Sequence, residues 1–534
     1  MDNTKTLAVP VAHPVGDTGS GPIQVQNADE LRLAQMGHKQ ELKRHFSVWG
    51  LIGMAASCTV SWTAGLGLGL ITSINAGGPG ALIYGFILAF VLQCFLGTSL
   101  AEFVSSYPVE GGMYHWTAAI APKHYSASLS FATGWSAVFG WIFMTASTNL
   151  LYAQNFTALV ALYKANLVVQ PWMTFVAYQG FNIISCGIVM FGNKWMPAIN
   201  KFSMCYIQVA WFTILTTVAV AAPKHNDAKF VFQTWINKTG WKNNAICFIT
   251  GLVNPLYSLG GLDGITHITE EMPDPGRNAP LALACTLAIA FITGFSFLLS
   301  LMFSVQDYST LANSPSGLPI AELFRQATQS RGGAFALVFL LCVALGPSVI
   351  GSQLSTGRML WAFARDDGLP FSKLCSKVNP RFGAPVNAQV CVGIVIAALG
   401  CIYLGSSTAF NSMMSSSVTI NNIAYLVPIL TNVLLRRKTM HRGPFSLGFV
   451  AGMTVNSITV AWLIFAIVFF SFPYAVPVTA SNMNYTCVCV GGFLLLELIW
   501  WIVAGEKYSR GMQKAREEEN ASQAVLVNDN VGNR

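Results

Sequence analysis

Long apolar segments alternate with short polar loops over most of the chain. Twelve of these segments are long enough to cross about 30 Å of hydrocarbon as helices. They lie near residues 46–74, 79–104, 127–152, 172–192, 198–222, 244–266, 280–304, 332–362, 386–404, 410–435, 445–471 and 485–505. The pattern predicts an all-α polytopic membrane protein with twelve transmembrane helices and both termini on the same side of the bilayer.

The two ends of the chain are polar. Residues 1–45 lack the apolar core of a signal peptide, and their composition predicts a disordered tail. Residues 506–534 include the acidic run Glu517–Glu519 and predict a second polar tail. The membrane part is therefore expected between these two segments.

Lysine and arginine residues are concentrated on one side of the predicted topology. That side includes both tails and carries 23 of the 30 basic residues, whereas the other side carries 7. Cytosolic loops of membrane proteins are enriched in Lys and Arg. Both tails are therefore predicted to face the cytosol.

The apolar run Ser126–Tyr163 is long enough to be divided into two spans. Division would move the basic loop from Arg358 to Arg381 to the outer side, against the distribution of charge found in membrane proteins. We therefore predict one long span. On the predicted outer side, the sequons that begin at Asn237 and Asn484 are candidate glycosylation sites.

The sixth span contains residues that an ordinary transmembrane helix lacks. Within Asn254–Pro280, Pro255, Gly260 and Gly261 interrupt the helix, and Asp263 places an ionisable group at membrane depth. The backbone groups of a broken helix need protein or a water-filled cavity to satisfy them. An acid within a span is costly and by default marks a functional site. This stretch is therefore predicted to bind a solute.

The first span contains a second interruption, Trp62–Gly69, five spans earlier. Matching interruptions in two halves point to an inverted repeat with the solute near the membrane midplane. The predicted units are residues 46–222, residues 244–435 and an additional pair of helices in 445–505. Gly65 and Gly69 also have the spacing of a G-x-x-x-G packing face, which is the alternative interpretation of the first interruption.

Composition excludes several other classes of protein. Of the 534 residues, 53% are hydrophobic and only 10% are charged, whereas about 25% of residues are charged in soluble domains. The net charge of +8 comes from basic residues scattered through short loops, so no nucleic-acid-binding face is expected. The twelve cysteines give neither a disulfide framework nor a metal-binding set. No metal or cofactor is expected.

The motifs of an enzyme or an ATP-driven pump are missing from the sequence. His267, Glu270 and Glu271 give H-x-x-E-E, which lacks the second histidine of a zinc-protease helix. Neither a G-x-S-x-G elbow nor a G-x-x-x-x-G-K-[ST] loop is found. We therefore do not expect an enzyme. The acidic residues are instead predicted to form, with Asp274 and Arg277, a hinge on the cytosolic side, with a solvated loop as the alternative.

Three motifs resemble those of one known family. They are SLAEFVSSYPVEGGMYHW at Ser99–Trp116, the G-G-x-D and H-x-x-E-E segment within Leu259–Pro280, and RMLWAFARDDGLP at Arg358–Pro370. All three are similar to motifs of the fungal amino acid/choline permease family, within the amino acid/polyamine/organocation superfamily. The resemblance covers about residues 40–505. It implies a leucine-transporter-like fold, with a 5+5 inverted repeat, two extra helices, and breaks in spans 1 and 6.

The resemblance also implies where a solute binds. In the superfamily, a Gly-Ser-Gly-like turn of the first span binds a carboxylate, and carbonyl groups of the sixth span receive an amine. The corresponding first-span residues are Thr63, Ala64 and Gly65. The corresponding sixth-span residues are Tyr257, Ser258 and Leu259, followed by Gly260 and Gly261. The first turn reads T-A-G here, so a ligand without a carboxylate stays open.

A quaternary ammonium such as choline would favour aromatic faces, which attract a cation without hydrogen bonds. Trp62 and Tyr257 flank the two interruptions, and Trp135 and Trp141 lie in the third span. Each is a candidate for contact with the ligand. Packing or interfacial anchoring is the alternative for each of them, because aromatic residues are common at such places in membrane proteins.

Asp263 is the main candidate for charge chemistry in the membrane. It can neutralise a cationic solute, carry a coupling proton, or hold the broken helix through backbone N–H groups. Glu102, at the end of the second span, is the second candidate for proton coupling. Its position suggests the cytosolic surface rather than the solute site.

Together these features predict a secondary active transporter that imports a small amine-bearing solute by alternating access. Choline, 4-aminobutyrate and amino acids are the solutes expected, with protons as the coupling ion and the lipid bilayer as the surroundings. The expected location is the plasma membrane, with the vacuolar membrane as the alternative. A nutrient sensor that keeps the transporter fold and binds the solute without net transport is the alternative function.

Overall fold

A computed structural model of the chain describes residues 7–9, 23–25, 50, 52–53, 59, 61–66, 70–164, 167–311, 318–480 and 482–532. Over these residues the protein is almost entirely helical. The first half contains a π-helical turn at Ser61–Gly65 and the helices α1 Leu70–Asn75, α2 Gly78–Ser106, α3 Met113–Ile120, α4 Ser126–Tyr163, α5 Pro171–Phe191, α6 Met196–Ala221 and α7 Ala228–Gln233.

The second half begins with the interrupted sixth span. Its helices are α8 Asn244–Gly251, α9 Val253–Ser258, a 3-10 helix at Leu262–Glu271, α10 Pro275–Ser304, α11 Pro319–Thr328, α12 Arg331–Arg365, α13 Ser372–Cys375, α14 Val386–Gly400, α15 Ile402–Gly405, α16 Ser407–Leu434, α17 Phe449–Phe469 and α18 Thr486–Gly532. A short 3-10 turn at Asn193–Trp195 precedes α6.

Two short antiparallel strand pairs complete the secondary structure of the described residues. Leu7–Val9 pairs with Ile23–Val25, and Ala76–Gly77 pairs with Ile236–Asn237. The second pair links the start of α2 to the loop between α7 and α8. The last helix continues past the predicted end of the twelfth span at residue 505 and ends at Gly532.

Eleven helices within the described ranges are long and apolar enough to cross a membrane. They correspond to the second through twelfth predicted spans, so the prediction of a polytopic helical membrane protein is confirmed. About half of the first predicted span, residues 46–74, lies outside the described residues, including its glycine segment at 67–69. The count of twelve spans therefore stays a prediction.

Large apolar side chains cover the outer surface of the bundle. Ile183 on α5, Phe202 on α6, Val450 on α17 and Ile502 on α18 are among those that are at least 70% exposed. An exposed apolar surface of this extent is unusual for a protein in water. It matches the lipid-facing surface that the span pattern predicts.

The run Ser126–Tyr163 forms one helix, α4, as the charge argument predicts. It is the central helix of the bundle, because it packs against both α12 and α16. Gly140 permits the second contact: a Cβ atom at this residue would lie 2.0 Å from Asn421 Oδ1 on α16. The small residue therefore allows the two helices to approach closely beside the interrupted span.

The sixth span is interrupted at the predicted place. Helix α9 ends at Ser258, and the chain resumes as a 3-10 helix at Leu262. Gly261 has φ +75°, a left-handed conformation that only glycine adopts without strain. The sequence thus turns the chain at this point, and the acidic residue that follows is directed into the bundle.

Candidate functional site

An internal cavity of about 30 Å³ lies beside the interruption of the sixth span. It is bounded by α2, α4, α9 and α16 and by the residues around Gly261. The lining residues are Gln93, Leu96, Met144, Leu256, Tyr257, Gly260, Gly261, Leu262, Ser417, Val418, Asn421, Asn422 and Tyr425. A cavity of this size holds one or two water molecules.

Two side-chain oxygens around this cavity have no hydrogen-bond partner among the described residues. They are Gln93 Oε1 on α2 and Asn421 Oδ1 on α16. The Gln93 amide uses its nitrogen to donate to the Leu259 carbonyl, at 3.3 Å. Buried polar atoms are rarely left without a partner, so these two oxygens are suited to receive a hydrogen-bond donor or a cation.

Asp263 lies next to the cavity and is completely buried. Its Oδ1 accepts a hydrogen bond from the Tyr425 hydroxyl at 2.6 Å, and its Oδ2 accepts one from Trp141 Nε1 at 2.8 Å. His267 Nε2 lies 3.3 Å from the same Oδ2. The carboxylate therefore joins α4, α16 and the 3-10 helix. Its hydrogen-bond partner Tyr425 is one of the residues that line the cavity.

His267 lies between Asp263 and the backbone of Glu110. Its Nδ1 lies 3.1 Å from the backbone carbonyl of Glu110. A carbonyl oxygen only accepts, so Nδ1 carries hydrogen. The contact between Nε2 and Asp263 Oδ2 then needs one further proton, on either the imidazole or the carboxyl group, to be attractive.

The sixth-span residues named from the sequence lie at or beside the cavity. Tyr257, Gly260 and Gly261 line it directly. The Tyr257 hydroxyl is 2.9 Å from Ser147 Oγ on α4, which fixes the ring against that helix. The Ser258 hydroxyl donates to the carbonyl of residue 254 in its own helix. Their contact with a solute stays a prediction.

The first-span turn lies next to the other half of this site. The π-helical turn Ser61–Gly65 packs against α9, α10 and α12, and Ser61 donates to the Ala290 carbonyl at 2.8 Å. Thr63 is buried. Thr63, Ala64 and Gly65 are not among the described residues that line the cavity. Their role as a carboxylate-binding turn stays a prediction.

The four candidate aromatic residues fall into two groups. Trp141 and Tyr257 are at the site, as described above. Trp62 packs on Phe297 with ring centroids 5.4 Å apart, and Trp135 stacks on Phe139 and donates to the Gly368 carbonyl. The last two contacts are those of packed side chains, and neither tryptophan is among the described cavity-lining residues.

Glu102 is held by a network at the end of α2. Both of its carboxylate oxygens accept hydrogen bonds from the Arg437 guanidinium, and the backbone N–H of Leu447 donates to Oε1 at 3.0 Å. The side chain is 2% exposed. An ion-paired carboxylate of this kind ties α2 to the segment between α16 and α17.

The two acidic residues at the end of the 3-10 helix pair with two arginines of α12. Arg358 Nε donates to Glu271 at 2.8 Å, and Arg365 donates to Glu270 at 3.2 Å. We call these four residues the ion-pair layer. All four are buried, so the solvated-loop interpretation is wrong for Glu270 and Glu271.

The rest of the predicted hinge behaves differently. Asp274 and Arg277 form a longer contact of 3.8 Å with both side chains substantially exposed. Arg358 and Arg365 are seven residues apart on α12, two turns of helix, and therefore point to the same side. The resemblance motif on this helix thus supplies both cations of the ion-pair layer.

The sequence reasoning missed the polar lining of the cavity. Gln93, Asn421 and Asn422 lie in apolar spans and were not predicted to be site residues. Uncharged polar side chains in spans also hydrogen-bond between helices. The two adjacent asparagines, Asn421 and Asn422, within a predicted span were the available sequence signal of a polar site.

A larger groove, of about 590 Å³, lies on the outer surface of the bundle. Its lining includes Ile184, Phe191 and Trp195, which are all exposed and apolar or aromatic. This groove faces the region expected to hold lipid tails. It lacks the convergent polar groups that mark a specific ligand site.

The two sequons differ in burial. Asn237 is half-buried, whereas Asn484 is 2% exposed and its Nδ2 donates to the carbonyls of Phe470 and Phe472. An enzyme can reach only an accessible asparagine. In a eukaryotic host we expect Asn237→Gln to remove the mobility shift caused by enzymatic deglycosylation, and Asn484→Gln to leave it. The reverse pattern on gels would contradict this assignment.

The fold and the site together define a multi-pass membrane permease. Residues 46–493 match the amino acid permease family, and the chain belongs to this family. The match covers the broken sixth span, the cavity and the ion-pair layer.

Curated relatives cover nearly the whole chain. The chain is 36% identical to a choline transporter of Saccharomyces cerevisiae over 482 residues, which are 90% of this chain and 84% of the relative. It is 31% identical to an amino-acid permease BAT1 homologue of Oryza sativa, over 93% of this chain and 96% of the relative. A GABA-specific permease of Saccharomyces cerevisiae is 28% identical, over 95% and 90% of the two chains. These relatives are transporters rather than enzymes.

Proposed function

We propose that the protein is a secondary active transporter that imports a small amine-bearing solute by alternating access, coupled to protons. The observation that carries the proposal is the buried cavity at the interruption of the sixth span. It combines Tyr257, Tyr425 and two unpartnered side-chain oxygens with a buried acid directly behind one tyrosine. Oxygen atoms and aromatic faces both attract a positively charged nitrogen.

The relatives narrow the class of solute. One is named a choline transporter and another a GABA-specific permease. Choline and 4-aminobutyrate share a cationic nitrogen, and only the second has a carboxylate. We therefore expect both solutes to use the part of the site that binds a cationic nitrogen. Because the turn at Thr63–Gly65 reads T-A-G and departs from the carboxylate-binding pattern, choline is the first solute to test.

The size of the cavity favours a closed form of the site. Small-molecule sites usually have volumes of about 300–1,000 Å³, whereas this cavity has about 30 Å³. Binding therefore requires α9 to move away from α2 or α16. In an alternating-access cycle, the same movement opens the cavity to one side of the membrane.

Helix packing supports the proposed 5+5 inverted repeat. Helix α2 packs against α10, α4 against α12, and α5 against α14, and the π-helical turn packs against α9. In each pair the members are five spans apart in the sequence. This is the pairing expected when two five-helix halves interlock around one central site.

The Asp263–His267 pair is the proposed proton-coupling group. Asp263 and His267 are both buried, and Asp263 directly follows Leu262 of the cavity lining. Loading or losing a proton on this pair changes the charge of the site and thereby its affinity for a cationic solute. Glu102 is the less favoured of the two original candidates because Arg437 already neutralises it.

The basic loops favour a topology with both termini in the cytosol, by the positive-inside rule. The ion-pair layer would then lie at the cytosolic end of the bundle. We propose the plasma membrane as the location, which is where an importer of external solutes acts.

A panel of labelled solutes tests the function. Cells that express the protein should accumulate at least one of choline, 4-aminobutyrate, an amino acid or a polyamine above control cells. A protonophore should abolish this accumulation, because it collapses the proton gradient. Accumulation that resists the protonophore and needs external sodium would contradict proton coupling. Binding of a solute without accumulation would instead favour a sensor.

A further inference from the structure

A carboxyl group that has no role in the mechanism above is buried beside the ion-pair layer. Glu110 lies in the loop between α2 and α3, within the V-E-G-G sequence, and is 0% exposed. Neither of its carboxyl oxygens has a hydrogen-bond partner among the described residues. Its backbone carbonyl faces His267 Nδ1, as described above. The backbone of the loop is therefore held against the 3-10 helix, whereas the Glu110 carboxyl group is not held by a hydrogen bond from the described residues.

The charged groups around Glu110 are already matched to one another. On the 3-10 helix they are Glu270 and Glu271, and on α12 they are Arg358 and Arg365. Arg358 is satisfied by Glu271 and by the side chain of Asn193, at 2.8 and 2.9 Å. The four charges of the layer sum to zero. An ionised Glu110 would leave one negative charge uncompensated in a buried site, which is costly.

Other titratable groups near this loop are also engaged. On α3, His115 Nε2 lies 3.0 Å from Asp366 Oδ2, and the Tyr114 hydroxyl donates to the same oxygen at 2.7 Å. Arg437 is paired with Glu102. The one unused donor in the layer is Arg365 Nε. The charge of Arg365 is nevertheless already compensated by Glu270, so the layer holds no spare cation for an ionised Glu110.

The electrostatic environment of Glu110 also favours the neutral carboxyl group. Burial raises the pKa of Glu110 well above its usual range, and Glu270 and Glu271 raise it further. Arg358 and Arg365 lower this pKa, but they do not offset the other effects. The neutral carboxyl is the form that fits the closed layer.

We propose that Glu110 is a proton-binding site that links closure of the ion-pair layer to the pH on that side of the membrane. In the closed layer the group is a neutral carboxylic acid. When the layer opens, water reaches it, the O–H bond breaks, and the proton passes to water. This inference rests on the proposed function in one respect, namely that the layer opens during alternating access.

The sign of the pH effect follows from proton counting. The closed form binds one proton more than the open form. A rise in pH therefore favours the open form, by up to about tenfold per pH unit between the two pKa values of the group. For the proposed orientation, an alkaline cytosol should hold the layer open.

Infrared spectroscopy of the purified full-length protein tests the protonation directly. At neutral pH the wild type should show a protonated carboxyl band that Glu110→Gln removes. An unchanged carboxyl region in this variant would show that Glu110 is ionised and would overturn the proposal. This measurement needs no transport, so its outcome does not depend on whether the protein moves a solute.

Hydrogen–deuterium exchange tests the link to opening. After correction for the chemical exchange rate, protection of amides in 107–112 and 262–271 should fall at least about tenfold from about pH 6 to about pH 9 in the wild type. Glu110→Gln should reduce that change to less than about twofold. Glu497→Gln is the matched control, because Glu497 is a half-buried acid on α18 away from the layer. It should keep the wild-type response.

Two results would overturn the link. One is a pH response in Glu110→Gln equal to that of the wild type, and the other is loss of the response in Glu497→Gln as well. If the exchange results are as expected but the solute panel is negative, the proton site stands and the transporter proposal fails. If the solute panel is positive but the exchange response is absent, the transporter proposal stands and the proton site at Glu110 fails.

Discussion

Replacement of Asp263 by asparagine is expected to abolish solute uptake while leaving the amount of protein in the membrane near the wild-type level. Asparagine has the same shape, and its amide group can donate to the Tyr425 hydroxyl while its oxygen accepts from Trp141. The hydrogen bonds that join α4 and α16 to the 3-10 helix are thus retained. The carboxyl group that contacts His267, and that the proposed proton coupling requires, is lost.

The expected loss of uptake is at least about 100-fold, because asparagine can neither neutralise a cationic solute nor carry the coupling proton proposed for Asp263. Initial rates with labelled solute, normalised to protein at the cell surface, measure it. Glu497→Gln makes the same chemical change in a different span and should keep near wild-type rates. Unchanged kinetics in Asp263→Asn would restrict the acid to a structural role.

Replacement of Arg358 by glutamine is expected to produce the largest loss of stability. Arg358 is 1% exposed and donates to both Glu271 and Asn193. Its removal takes the arginine partner away from the buried Glu271 carboxylate, and breaking a buried ion pair in this way costs about 3–5 kcal/mol. Thermal unfolding of the detergent-solubilised protein should show this loss as a markedly lower transition temperature and a lower yield of monodisperse protein.

Two further variants test whether the loss of stability comes from the unbalanced buried charge rather than from a non-specific effect of the substitution. The double variant Arg358→Gln with Glu271→Gln removes both charges and should recover much of the lost stability. Arg325→Gln is the exposed counterpart, because Arg325 also pairs with a glutamate, Glu322, but is 52% exposed. Exposed pairs contribute about 1 kcal/mol or less. Equal destabilisation by the Arg325 and Arg358 variants would contradict the importance of burial.

The apolar pattern predicted most of the fold because membrane crossing imposes a simple rule. A span needs about 20 apolar residues and leaves no backbone group unpaired, so span limits can be counted along the chain. Basic residues then fixed the number of crossings within Ser126–Tyr163, which forms one helix. The glycines at 260 and 261 located the break, and Gly261 has the left-handed conformation, φ +75°, that favours glycine.

The partners of each buried polar group were less predictable. Nothing local in the sequence indicates that Tyr425, more than 160 residues away, donates to Asp263, or that Glu271 faces Arg358. Such contacts depend on how the helices are packed in three dimensions. Glu270 and Glu271 therefore suggested a solvated loop as readily as a buried ion pair.

The cavity illustrates the same limit. Gln93 and Asn421 are unremarkable in an apolar span when viewed one at a time, because a helix can satisfy single amides in several ways. Only the approach of α2, α4 and α16 to the broken span places both residues in the lining of one cavity. Gly140 allows α4 and α16 to approach closely. A glycine within a helix occurs for several other reasons, so its presence alone did not indicate this contact.

Reconstitution of the purified protein into proteoliposomes tests the central claim most directly. With an inwardly directed proton gradient and no other energy source, labelled choline or 4-aminobutyrate should accumulate inside above its external concentration, and a protonophore should release it. Purified protein that binds the solute, yet never raises its internal concentration above equilibrium under any imposed ion gradient, would contradict the account.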